Sequence, residues 1–258
     1  MNIGAKEFMN LQSKYKIDRD EDHAYTVDYK GKITVLPGVT GILDVVGSKD
    51  KLNRLMGWSK KQALLKVAEH IRAFAGKSLI VDEDWIEAVR KSAWKRDKEL
   101  LKEAGDIGTK IHAAIDAFIA GEIPILDDTT RPGFDNFVKW LDESKIKLIK
   151  GDTYVANLKL GYGGALDAIG ERDGKIILLD WKTGSSVYDT AAMQSAAYYL
   201  AFFETYDVAV DTAFVVRFGK EKPGDIEPKE VNLKHAENAW LKAVDLHMAM
   251  KISVWQGV

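Results

Sequence analysis

Gly163 to Gly184 constrains the fold more than any other stretch of this chain; it reads Gly-Gly-Ala-Leu-Asp-Ala-Ile-Gly-Glu-Arg-Asp-Gly-Lys-Ile-Ile-Leu-Leu-Asp-Trp-Lys-Thr-Gly. Asp173-Gly174 sits at its middle. Asp-Gly favours a type I′ hairpin turn, because both central positions take positive φ. With that turn Arg172 faces Lys175, and counting outward along the two strands brings Asp167 opposite Asp180. Opposed residues of an antiparallel pair share a face, with Cβ atoms roughly 5 Å apart. Lys182 lies two residues beyond Asp180 and therefore on that face as well. Ile176 to Leu179 is an unbroken apolar run, the mark of a strand buried on both sides in the middle of a layered sheet. Ending such a strand in Asp180-Trp181-Lys182 brings charge to the rim of a core, where unpaired charge is costly. A solvated salt bridge would use the same residues and be worth little. Two like charges facing each other, however, repel unless a cation stands between them. The pattern points to a place that can hold a divalent metal and activate water.

The remaining elements follow from periodicity. Residues 1 to about 22 are polar, end in Asp18-Arg-Asp-Glu-Asp22, and read as a loosely held leader. His23 to Leu36 alternates around Gly31 as a small hairpin. Thr40 is placed to cap a short helix through Val46. Lys51 to about Lys77 carries apolar residues at helical spacing, and Asp82-Glu-Asp84 starts a second helix to about Glu103. Gly105-Asp106 reads as a break, with Asp106 capping a helix from Ile107 to Ala120. Pro132 opens a helix to about Glu143. Ile146 to Leu160 contains a strand, Thr190 to Glu204 a buried helix, Asp211 to Phe218 a central strand, and residues 233 to 253 a closing amphipathic helix. This order predicts an α/β protein with a central mixed β-sheet flanked by helices and a mainly helical N-terminal region. Two parts are expected: 1–104, a small hairpin and helical region, and 105–258, the core, packed as one unit.

Composition narrows the chemistry. There are no cysteines, which excludes disulfides, thiolate zinc sites, cysteine-bound iron–sulfur clusters and a cysteine nucleophile. Charged residues make up 29% and the net charge is −2, so a polyanion partner must be met by a local surface. The first residues, Met1-Asn-Ile-Gly-Ala-Lys-Glu-Phe, lack the apolar core of a signal peptide, and no run reaches transmembrane length. The cytoplasm is the expected compartment, with no membrane partner.

Four motifs in order resemble the PD-(D/E)XK nuclease superfamily, in its RecB-like and phage exonuclease branch, which includes the mitochondrial genome maintenance exonuclease. They are Gly108-Thr109-Lys-Ile-His112, Gly161-Tyr162-Gly-Gly164-Ala-Leu-Asp167, Asp180-Trp181-Lys182-Thr183-Gly184 and Gln194-Ser-Ala-Ala-Tyr198. The agreement spans roughly residues 105 to 218. Asp-x-Lys alone is a weak pattern; four motifs in order are specific. Leu166 stands where the superfamily name has proline, a frequent substitution in this branch.

The resemblance implies a restriction-endonuclease-like core and a metal-dependent DNA exonuclease that leaves 5′-phosphates. Its substrate would be single strands or duplex ends, in recombination, repair or phage DNA metabolism, within a bacterial or phage-infected cytoplasm. It implies Asp167, Asp180 and Lys182 as catalytic residues. Asp167, Asp180, His112 and the backbone carbonyl of Trp181 would hold Mg²⁺ or Mn²⁺, hard ions suited to oxygen ligands with one imidazole. Lys182 would position or deprotonate the attacking water. Gln194 and Tyr198, one helical turn apart, would touch the DNA strand or order Lys182, with Tyr162 and Thr183 as further substrate contacts. Arg217, ending the strand Phe214-Val-Val-Arg217-Phe, is a phosphate candidate.

Alone, His112 on its apolar helix (Ile111, Ile115, Phe118, Ile119) would more often be a core histidine. Asp116, one turn further on, and Asp152, on the preceding strand, are either supporting or solvated acids. In the N-terminal part, Lys60, Lys61 and Lys66 gather near Trp58, and Arg90, Lys91, Lys95, Arg96 and Lys98 surround Trp94. Basic residues among aromatics suit a single strand; packed tryptophans and solvated lysines explain them equally well. Two other functions fit the same residues. One is a catalytically silent nucleic-acid-binding protein with the nuclease fold, acting beside a recombination partner; the other is a structure-specific endonuclease.

Overall fold

The turn at residues 173–174 takes φ of +55° and +72°, and it joins β5 (Tyr162–Arg172) to β6 (Lys175–Lys182) with Arg172 opposite Lys175. The computed structural model describes residues 12–21, 24–47 and 49–251; the first eleven residues of the expected leader, Asp22, His23 and the last residues of the closing helix lie outside them.

Two compact units make up the chain, Met1–Gly47 with Lys110–Val258, and Ser48–Thr109. The division falls at these points rather than at 104/105. The N-terminal strands join the larger unit because their buried residues Tyr25, Val27 and Leu36 pack against Ala156 of its sheet.

In the larger unit, β1 (Lys16–Arg19), β2 (Tyr25–Tyr29) and β3 (Lys32–Leu36) form an antiparallel sheet. The second half of the expected leader thus supplies a third strand. On β3 the alternation misleads: Ile33 and Val35 are exposed, at 68% and 66%. Tyr25 pairs with Leu36 and Val27 with Thr34, so the inward face of β3 is its even-numbered one. The following helix, α1 (Val39–Leu43), has Gly38 at its N-cap, and Thr40 lies inside it.

The main sheet has the order β4-β5-β6-β7-β8, with β4 (Lys147–Asn157), β7 (Thr212–Phe218) and β8 (Ile226–Glu230) around the hairpin. β6 is its middle strand. Only β6 and β7 run parallel, and a parallel pair needs a crossover. α5 (Asp189–Tyr206) provides it and is buried along most of its length. α5, α1 and α6 (Leu233–Met250) share one apolar core with the sheet, built on Leu178, Ala201, Phe202, Val215 and Trp240. On the opposite face α4 (Arg131–Ser144) contributes Phe137 and Trp140, whose rings meet Trp181 edge-on at 5.6 Å and 5.6 Å. The expected α/β architecture, a mixed sheet flanked by helices, is therefore what the chain forms. β8, with Pro228 inside it, has no sequence signature.

The second unit is formed by α2 (Lys49–Arg72) and the first part of α3 (Glu83–Ile119). Their facing residues Ser59, Ala63, Val67, Val89, Ala93 and Asp97 border a cavity of about 370 Å³. The Ser59 hydroxyl donates to the Asp97 carboxylate. Asp82 accepts from the Trp85 N–H at 2.8 Å and caps α3. α3 is continuous through Gly105-Asp106, where the sequence reads as a break.

Candidate active site

The ladder between β5 and β6 stops at Ala168–Leu179, one pair short of Asp167 and Asp180. Beyond that point a side chain replaces main-chain pairing: the Trp181 N–H donates to Asp167 Oδ2 at 2.6 Å. β6 continues against β7, with Asp180 beside Val215 and Lys182 beside Arg217. Alternation turns Asp180 and Lys182 to the face covered by α5, while Trp181 packs into the aromatic cluster below.

On that face Lys182 Nζ lies 2.5 Å from Asp180 Oδ2 and donates to Gln194 Oε1 at 3.1 Å. Gln194 Nε2 in turn donates to the Tyr198 hydroxyl at 2.7 Å. The two α5 residues thus share a face one turn apart and hold the amine from above. His112 approaches from the end of α3, with Nδ1 3.4 Å from Asp167 Oδ1. Its stretch of helix is fixed by the buried Ile111 and Ile115, and by Phe118 edge-on to Phe134 and Phe137. Asp167, Asp180, Lys182, His112, Gln194 and Tyr198 therefore converge.

Electrostatics in this crevice are set by burial first. Burial, with Asp167 adding to it, pushes the Asp180 carboxyl up to about 6 against the pull of Lys182. Burial would also raise Asp167, but His112, Lys182 and the Trp181 N–H together hold it below the usual carboxylate range. Burial alone would lower both His112 and Lys182. The neighbouring carboxylates outweigh it, so both bases are raised, His112 chiefly by Asp167 and Lys182 chiefly by Asp180. Tyr198 is raised well above its ordinary value by burial and the two acids, and stays neutral.

Other sequence candidates fall elsewhere. Tyr162 is fully buried, donates its hydroxyl to Ala197 O at 2.8 Å and meets the Trp240 ring edge-on; it is a core residue with no face open to a substrate. Arg217 is committed to acids: its Nε donates to Glu227 at 3.0 Å and its terminal nitrogens to Asp225. Its guanidinium serves the β7–β8 connection, in place of the phosphate contact expected of it. Thr183 follows the end of β6 and is half-buried. Asp116 feels both Asp152 and Asp167, and burial chiefly, with those two acids, pushes it up to about 6.

Two local features go beyond the sequence reading. Asp152 takes φ +27°, an unusual backbone for a non-glycine residue; the Gly151-Asp152 pair inside a strand pattern is its signal. The glycines at 163 and 164 make room for rings. A Cβ at 163 would stand 2.5 Å from Tyr25 Cγ, and one at 164 would stand 2.5 Å from Tyr198 Cε1.

Two carboxylates and an imidazole are a donor set suited to a hard divalent ion. Asp180 Oδ2 is a buried oxygen whose partner is the Lys182 ammonium, a position a metal cation would compete for. Among the described residues no three His, Asp or Glu side chains already stand close enough to hold a metal. The Asp180 carboxylate is turned to Lys182, so ion binding requires that pair to open.

No family model and no curated protein matches the sequence. Among solved structures the chain is similar to SSO0001, at 13% identity and a TM-score of 0.37, over 75% of this chain and 87% of that one. It is also similar to an alkaline exonuclease (LHK-Exo) from Laribacter hongkongensis, at 10% identity and a TM-score of 0.27, over 54% and 81% of the two chains. Likeness at this level carries no argument about activity. Among the described residues no helix is long and apolar enough to cross a membrane.

Proposed function

We propose that the chain is a metal-dependent deoxyribonuclease that hydrolyses phosphodiester bonds, leaves 5′-phosphates and acts as an exonuclease on single strands or duplex ends. The observation that carries this reading is the meeting of Asp180, Lys182, Asp167 and His112 in one crevice, where burial makes each charge depend on the others. An isolated surface salt bridge has no need of a half-buried second acid and an imidazole beside it.

Asp167, Asp180, His112 and the Trp181 carbonyl would hold Mg²⁺ or Mn²⁺. The ion, when bound, supplies Lewis-acid stabilisation of the phosphoryl oxygens and an acidified water. Lys182 is held as a cation by its two acids, so its first role is to offset negative charge as it develops at phosphorus. Once Asp180 turns away, Lys182 keeps its bond to Gln194, which fixes where the amine stands. Asp167, held ionised by His112 and the Trp181 N–H, is the acceptor that orients a water.

Asp180→Asn and Lys182→Ala should each lower cleavage of labelled oligonucleotides by at least about 10²-fold, with circular dichroism unchanged. Full activity in either variant, or undiminished cleavage in EDTA, would overturn the reading. Labels at the 5′ and 3′ ends, and a circular single strand, separate exonuclease from endonuclease. DNA that is bound but never shortened with Mg²⁺ or Mn²⁺ would establish the silent binder instead.

A further inference from the structure

The second unit presents a tryptophan to solvent. Trp94 is 65% exposed, whereas its neighbours Val89 and Ala93 on α3 are buried. Of the two readings open in the sequence, a packed core tryptophan is thus excluded here. Around the ring stand Arg90, Lys91, Lys95 and Lys98, bordering a shallow recess of about 480 Å³. Arg90, Lys91 and Lys98 fall three or four residues from Trp94 and so share its side of α3, while Lys95, next to it in sequence, borders the same recess. Lys98 Nζ lies over the indole, 5.7 Å from its centroid. Glu87 takes Arg90 at 2.6 Å and Lys91 at 3.5 Å, and Glu99 takes Lys95 at 3.5 Å. Two acids shared by four bases leave the ridge positive, in a chain whose net charge is −2.

We infer that this ridge binds a short single-stranded segment of DNA, with a base stacked on Trp94 and phosphates on the surrounding bases. Stacking on an aromatic ring is open to any base, and cations along the same groove track the backbone. Lys98 moves from the indole to a phosphate as the base takes its place. The i,i+3 and i,i+4 acid pairs are exposed and weak, so the bases exchange carboxylate for phosphate at little cost. An acidic peptide would satisfy the charges but has no ring to lay on Trp94. The choice of DNA as the strand rests on the nuclease reading; binding itself does not require cutting.

The test uses the full chain and a labelled oligothymidylate of about twelve nucleotides, followed by fluorescence anisotropy in EDTA so that nothing is hydrolysed. Trp94→Ala should weaken binding at least about fivefold, the factor corresponding to the lower end of base–aromatic stacking, about 1 kcal/mol. Trp94→Phe should restore most of it. An abasic strand of the same length should bind the wild type and Trp94→Ala alike. The triple variant Lys91→Ala, Lys95→Ala, Lys98→Ala should flatten the salt dependence by roughly two counterions at about 0.7 per contact. Unchanged affinity in Trp94→Ala overturns the inference, as does an equal loss on the abasic strand. A polyglutamate peptide that binds the ridge as tightly as the DNA overturns it too. Cleavage of the same oligonucleotide with Mn²⁺ separates the two readings. A wild type that binds through Trp94 and never cuts leaves the ridge standing without the nuclease; one that cuts while Trp94→Ala binds normally removes the ridge alone.

Discussion

Asp116 shows how much a single carboxyl can depend on its surroundings. Burial chiefly, then Asp152 and Asp167, pushes it up to about 6 from 3.8. A carboxyl raised in the folded state favours folding below its ordinary value, and that contribution is lost as pH rises through about 6. Each tenfold change in proton affinity corresponds to about 1.36 kcal/mol, and water around this half-buried group screens part of that. Asp116→Asn should therefore stabilise the protein at pH 8 by roughly 1–2 kcal/mol and change little at pH 4. Thermal melts in EDTA at the two pH values measure this; an equal shift at both would remove the explanation. At this scale the sequence reads well where arithmetic rules. The hairpin register aligns Asp167 with Asp180 from the Asp-Gly turn alone. It reads poorly where a side chain answers to a distant one: nothing near Arg217 announces Asp225 and Glu227, and nothing near Tyr162 announces the carbonyl of Ala197.

Among the elements, α3 departs most from the sequence reading. Gly105-Asp106 looks like a stop, yet Ala93, Leu100, Ile107, Ile111 and Ile115 stay within about 40° of one line at about 100° per residue. A glycine inside a helix costs only about 1 kcal/mol, which an apolar stripe kept in phase outweighs. A Cβ at 105 meets no atom within 4 Å. Gly105→Ala should therefore raise stability by about 0.5–1 kcal/mol, read from urea unfolding by circular dichroism. A loss would mean that the helix needs its glycine. The central strand is visible in sequence because four apolar residues in a row admit few other places. β8 is not, since an edge strand owes its place to β7 rather than to a pattern of its own.

For the whole molecule, the division at Ser48 and Thr109 assigns the first sheet to the unit that carries Asp167. Residues 12–36 read in sequence as the end of a polar leader and a small hairpin. They bury Tyr25, Val27 and Leu36, worth roughly 4.5–9 kcal/mol at about 1.5–3 kcal/mol per side chain. A chain beginning at Pro37 should unfold at a markedly lower urea concentration, and an unchanged midpoint would show the sheet to be an ornament. The glycines of β5 extend that dependence to the chemistry. Gly163 lies under the ring of Tyr25 and Gly164 under that of Tyr198, on opposite faces of one strand. With no side chain of its own at either point, β5 is keyed into position by two visitors, one from each neighbouring layer. An alteration in the outer hairpin can therefore silence a carboxylate it never touches, by letting the strand that carries it slip out of its seat.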